Sequence, residues 1–154
     1  MTEVRQGHIT ASDGTRISYA LHGTPTAKLP LLCLAGLTRN GRDFEPVVAH
    51  FGGERQVLTI DMRGRGGSGW AAPETYRVDI ELQDVLAVLS HLSLARVTLL
   101  GTSRGGIIGM VIALVQPQFL AGLMLNDVGP RLEPAGLLRI GKYVGASPCY
   151  RDWA

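Results

Sequence analysis

The pentapeptide Gly101-Thr102-Ser103-Arg104-Gly105 has the residue types and spacing of a serine nucleophile presented on a sharp turn, G-x-S-x-G. Its flanks strengthen the reading. The apolar stretch 97–100 enters it as a strand, and the nearly all-apolar stretch 103–115 leaves it as a helix that stops before Pro117. In such a strand–turn–helix the serine takes a strained backbone conformation that lifts its hydroxyl above the sheet, so a positive φ is expected at Ser103. Gly101 and Gly105 have no side chains to hold helix and strand apart. The first turn of the helix aims free N–H groups at the same point, where negative charge develops during acyl transfer. The competing reading is a serine that merely caps a helix in an unrelated fold.

Acyl transfer also needs donors for the developing oxyanion. One comes from the N–H of the residue after the nucleophile, here Arg104, and one from the loop after an earlier buried strand. The apolar run 29–35 is such a strand, and it leads into Leu34-Ala35-Gly36-Leu37, which makes the Leu37 N–H the second donor. The alternative is an ordinary glycine turn at a strand end. Both donors act through the backbone. The Arg104 side chain is read as solvated beside the turn, in preference to one that reaches an anionic group of a substrate.

The elements that must position these groups follow from periodicity. Segments 4–9 and 16–21 flank the turn signal Ser12-Asp13-Gly14 and read as a hairpin. The runs 29–35, 57–60, 97–100 and 120–125 read as strands. Between them, 42–50 reads as a short helix. Residues 77–92 form an amphipathic helix with Val78, Leu82, Val85, Leu86, Leu89 and Leu92 on one face and Asp79, Gln83 and Asp84 elsewhere. One more helix is expected over about 133–143. Alternating strands and helices imply right-handed crossovers and a mostly parallel sheet, hence an α/β three-layer sandwich with the hairpin at one edge.

Three stretches then resemble the α/β-hydrolase superfamily. Asp61-Met62-Arg63-Gly64-Arg65-Gly66-Gly67-Ser68-Gly69 looks like its D-x-R-G-x-G-x-S loop, Gly101–Gly106 like its nucleophile elbow, and Leu125-Asn126-Asp127-Val128-Gly129-Pro130 like the end of its sixth strand. Ala35-Gly36 stands where many members have His-Gly, which leaves a backbone oxyanion pocket intact. The resemblance implies a serine hydrolase core that transfers an acyl group to water through an acyl-enzyme on Ser103. The substrate would be a small molecule with an ester, lactone, thioester or C–C bond to break. A serine here is unlike the aspartate-nucleophile branches.

The family orders its triad as serine, then acid, then histidine. No histidine follows Ser103; the four are His8, His22, His50 and His91, all read as structural or surface residues. Asp127 is the one acid in place for a triad, and a loop residue capping the turn before Pro130 is the preferred reading. A full member would add a cap segment, two strands and a histidine loop. Residues 1–154 therefore read as a partial domain, truncated after about the sixth strand, with Trp153-Ala154 where a cap would begin. The alternative function is a non-catalytic remnant or partner-binding fragment. The family strand order 1-2-4-3-5-6-7-8 leaves 120–125 as an edge without Pro or charge, open to self-association.

Composition narrows the rest. A net charge of +2, with 15 basic residues scattered along the chain, gives no reason to expect nucleic acid. Cys33 and Cys149 make neither a metal spacing nor a disulfide framework, and Cys33 reads as a buried core residue. Gly64-Arg65-Gly66-Gly67-Ser68-Gly69 fits a dinucleotide fingerprint, but Trp70-Ala71-Ala72-Pro73 prevents a helix from opening on it, so a tight loop and no cofactor are expected. The apolar stretch 105–115 is short of the roughly 18 residues of a membrane span. With no apolar leader at residues 1–6, a cytoplasmic location is expected.

Overall fold

The computed structural model describes residues 3–142 and 144; Cys149 and Trp153-Ala154 lie outside the described residues. Val4–Thr10 (β1) and Arg16–His22 (β2) form the expected antiparallel hairpin. Its tip carries Gly14 at φ 86°, and the Asp13 carboxylate accepts the Thr15 N–H at 3.0 Å, which closes the turn locally.

From there strands Leu31–Leu34 (β3), Val57–Ile60 (β4), Val97–Thr102 (β5) and Leu120–Asn126 (β6) alternate with helices Glu45–Phe51 (α1), Val78–His91 (α2) and Arg104–Val115 (α3). A last helix, Pro134–Gly141 (α4), follows β6 and buries none of its residues. The sheet runs β1-β2-β4-β3-β5-β6, the expected order. β4, β3, β5 and β6 are parallel, and β2 joins β4 antiparallel.

Every residue of β3 and β4 is buried, because helices cover both faces of the sheet there. On one face Leu32, Leu34, Leu58, Ile60 and Leu99 pack against Leu82, Val85 and Leu89 of α2 and Ile108 and Ile112 of α3. On the other, Leu31, Cys33, Ala35 and Val57 pack with Phe44 and with Val47 and Val48 of α1. The result is a three-layer α/β sandwich. Among the described residues no helix is long and apolar enough to cross a membrane.

The sequence expectation for α2 needs one correction. Asp84 does not lie off the apolar face but is buried in the interior, with Glu81 one turn before it. Each carboxylate has an arginine that makes burial tolerable. Asp84 accepts Nε and Nη2 of the fully buried Arg63, both at 2.8 Å. The third Arg63 donor, Nη1, reaches Asp13 in the hairpin turn at 2.7 Å. The arginine of the Gly-rich loop thus fastens that loop to both α2 and the β1–β2 turn.

Candidate active site

The turn between β5 and α3 is held on all sides. Ser103 sits at φ 49°, ψ −113°, the positive φ its motif calls for. Among the described residues only Ser93 and Asp127 share such a conformation without being glycine. A β-carbon is crowded there, and the surroundings must impose the geometry. The Ser103 N–H donates to the Asn126 carbonyl at 2.9 Å, and the Ser103 carbonyl accepts the Ile107 N–H at 3.1 Å. A β-carbon on Gly101 would come within 2.6 Å of the Gly105 carbonyl oxygen, and one on Gly105 would run into the Leu34 carbonyl. Helix α3 therefore lies directly on the ends of β5 and β3. The Ser103 hydroxyl makes no capping bond to α3, so the reading of Ser103 as a plain helix cap finds no support.

The loop after β3 comes up against this serine. A β-carbon placed on Gly36 would stand 3.6 Å from the Ser103 β-carbon, in ordinary van der Waals contact. Leu37 follows at once. Among the described residues the backbone N–H groups of Leu37 and Arg104 meet no protein acceptor. A strained serine, a neighbouring glycine loop and a helix N-terminus therefore converge on one spot at the C-terminal end of the parallel strands.

The Arg104 side chain corrects its expectation. It is not free in solvent but half-buried and tied down: Nε donates to the Glu81 carboxylate at 2.7 Å and Nη2 to the Tyr76 carbonyl at 3.0 Å. Burial pushes the Glu81 carboxyl above its ordinary range, against the downward pull of Arg104. Glu81 was detectable in principle, since positions 81, 84, 85 and 88 share one helix face with its acids among valines. Tyr76 carries no such periodic signal.

Asp127 follows Asn126, the residue whose carbonyl holds Ser103, and has φ 55°. Its side chain is exposed and accepts no hydrogen bond among the described residues, so the expected turn cap is not formed. The histidines lie elsewhere. His8 is on β1, four strands from β5 and so about 19 Å away at ordinary strand spacing. His22 pairs with Val57, at the opposite end of the sheet from Ser103. His91 ends α2, ten residues beyond Glu81 and about 15 Å along the helix, and its Nε2 lies 3.2 Å from the Tyr19 hydroxyl. His50 is exposed near the end of α1. None is placed to take a proton from Ser103. Among the described residues no three His, Cys, Asp or Glu side chains could together hold a metal ion.

Comparison with known proteins gives a consistent set of relatives. The family model for the alpha/beta hydrolase fold matches residues 30–143. A 3-hydroxybutyrate-oligomer hydrolase of Cupriavidus necator is 40% identical over 131 residues, which are 84% of this chain and 45% of that protein. Lipase LipV of Mycobacterium tuberculosis is 30% identical over 83% of this chain and 48% of its own length. The crystal structure of an alpha/beta hydrolase from Novosphingobium aromaticivorans superposes with a TM-score of 0.88 at 42% identity, covering 94% of this chain and 51% of that one. The chain thus spans about half the length of the relatives it matches.

Proposed function

Because this chain belongs to the alpha/beta hydrolase family, we propose that it supplies the nucleophile and the oxyanion pocket of a serine hydrolase, with Ser103 forming the acyl-enzyme. The observation that carries this reading is the backbone of Ser103, at φ 49° with a hydroxyl free of any capping bond. Between a central parallel strand and a buried helix, that positive φ lifts the hydroxyl above the end of the sheet, where a substrate carbonyl can reach it. In the reaction, the Ser103 oxygen attacks the substrate carbonyl and the C=O electrons move onto oxygen, while the hydroxyl proton passes to a general base that the described residues do not place near it and from there to the departing group. The N–H groups of Leu37 and Arg104 stabilise that oxyanion. The carbonyl re-forms as the leaving group departs, and water later cleaves the acyl-enzyme. An ester is the favoured substrate class, since the relative at 40% identity is named for hydrolysis of hydroxybutyrate oligomers.

Residues 1–154 are read as the N-terminal part of one such domain. They hold no imidazole near Ser103, and Asp127 is a candidate triad acid only by its place after β6. The alternative, a non-catalytic fragment, is separated by chemical rescue. Hydrolysis of p-nitrophenyl butyrate by the full chain is expected to be very slow, because the serine lacks its general base. Added imidazole should raise the rate, and the increment should vanish in Ser103→Ala. An imidazole response identical in Ser103→Ala would leave only the fragment reading. Robust turnover without imidazole, lost in Ser103→Ala, would show that another group acts as base.

A further inference from the structure

We propose that Arg65 is a positioning residue that holds the Leu37 half of the oxyanion pocket in place and ties it to the Arg104 half. The proposal rests on the assignment of those two N–H groups as oxyanion donors. Residues Leu37 to Arg39 are exposed, and within the loop the one backbone bond among described residues is Arg39 N–H to the Gly36 carbonyl, 3.1 Å. The bidentate Arg39–Asp43 pair steadies the far end of this loop, but none of these bonds reaches Leu37, whereas oxyanion stabilisation requires donors fixed before charge appears. Arg65 supplies what the loop lacks. Its Nε donates to the Leu37 carbonyl at 2.6 Å, while Nη1 donates to the Gly64 carbonyl at 3.0 Å. The charge-assisted bond from Nε fixes the Leu37–Thr38 peptide, the neighbour of the Gly36–Leu37 peptide that carries the donor N–H, to a loop twenty-eight residues away.

The anchor is itself held. The Arg65 guanidinium carbon lies 5.9 Å from the centre of the Tyr76 ring, within cation–π range. The Tyr76 hydroxyl accepts the Ala71 N–H at 3.1 Å and lies 2.5 Å from where a β-carbon on Gly64 would be, a residue at φ 68°. The Tyr76 carbonyl in turn accepts from Arg104 at 3.0 Å, and Arg104 is pinned by Glu81. One continuous set of contacts, Leu37–Arg65–Tyr76–Arg104, therefore joins the two donors from outside the reacting centre. Arg65 spends two of its nitrogens on backbone carbonyls, which fits positioning and not recognition of substrate charge.

The test reads the pocket directly. In the full chain carrying Ser103→Cys and Cys149→Ser, the new thiol sits at a helix N-terminus, where thiolate is favoured. It is acylated with p-nitrophenyl acetate labelled with carbon-13 at the carbonyl. Cys33 does not compete, since burial pushes its thiol up to about 12. The carbonyl stretch of the thioester, isolated by isotope-difference infrared spectroscopy, should lie below that of the same thioester in unfolded chain. Adding Arg65→Met should remove at least half of that shift. Arg65→Lys, which cannot serve both carbonyls with planar donors, should remove a smaller part, and it decides the matter if Arg65→Met does not fold. No shift in the parent would overturn the oxyanion assignment and this inference with it. A shift in the parent that survives in both Arg65 variants would overturn the role of Arg65 alone.

Discussion

Ser103 shows how a single residue is made available by its neighbours. Its N–H is tied to Asn126 and its carbonyl to Ile107, which leaves the hydroxyl as its one uncommitted group. This was legible in the sequence because the elbow is a local motif, with glycines and flanking periodicity inside one short window. The arginines were not. Arg104 and Asp84 find Glu81 and Arg63 across 23 and 21 residues, and periodicity places a charge on a helix face without saying what lies opposite. At Asp13 such a pairing is measurable. The hydrogen bond from Arg63 holds its carboxyl down to about 2 from an ordinary 3.8. A depressed carboxylate stabilises the fold above its unfolded value, and that stabilisation is lost as pH falls from about 4 toward 2. Glu81 and Asp84, raised by burial, act in the opposite sense. Asp13→Asn should therefore cost up to about 1 kcal/mol in urea melts at pH 6 for a partly exposed pair, and the gap should narrow markedly by pH 2. A gap that is the same at both pH values would show that the ion pair is not responsible.

At the scale of elements, the junction of α3 with β5 and β3 carries the geometry of the site. Strand and helix ranges followed the sequence closely, since apolar runs, glycines and prolines mark them locally. The closeness of the packing did not follow, because it depends on which atoms meet across elements. Gly105→Ala would force a β-carbon into the Leu34 carbonyl, a backbone atom that cannot turn aside. The substitution should cost about 3 kcal/mol, although alanine is the better helix former. A melt within about 0.5 kcal/mol of the parent would mean that α3 does not rest on β3 this closely.

For the whole molecule, the half of the relatives' length that this chain spans coincides with a lopsided surface. Among the described residues β6 pairs only with β5. Met124 and Leu125 on that strand, Leu114 and Val115 at the end of α3, and Leu137, Leu138 and Ile140 on α4 are exposed large apolar side chains. An open edge beside apolar surface favours pairing with another copy, so the chain is expected to self-associate. Light scattering after size exclusion checks this, and Met124→Lys should shift the distribution toward monomer. A monomeric parent at tens of micromolar would contradict it.

If the fold makes Ser103 reactive through its strained turn and two N–H donors, that reactivity must fall when the chain unfolds. The most direct measurement is the rate at which a fluorophosphonate modifies Ser103, followed by peptide mass, in folded and urea-unfolded chain at the same pH. Modification at Ser103 is expected to be at least about 10-fold faster in the folded chain, a modest fraction of what oxyanion donors can supply. Equal rates in the two states, or modification at another residue, would contradict it.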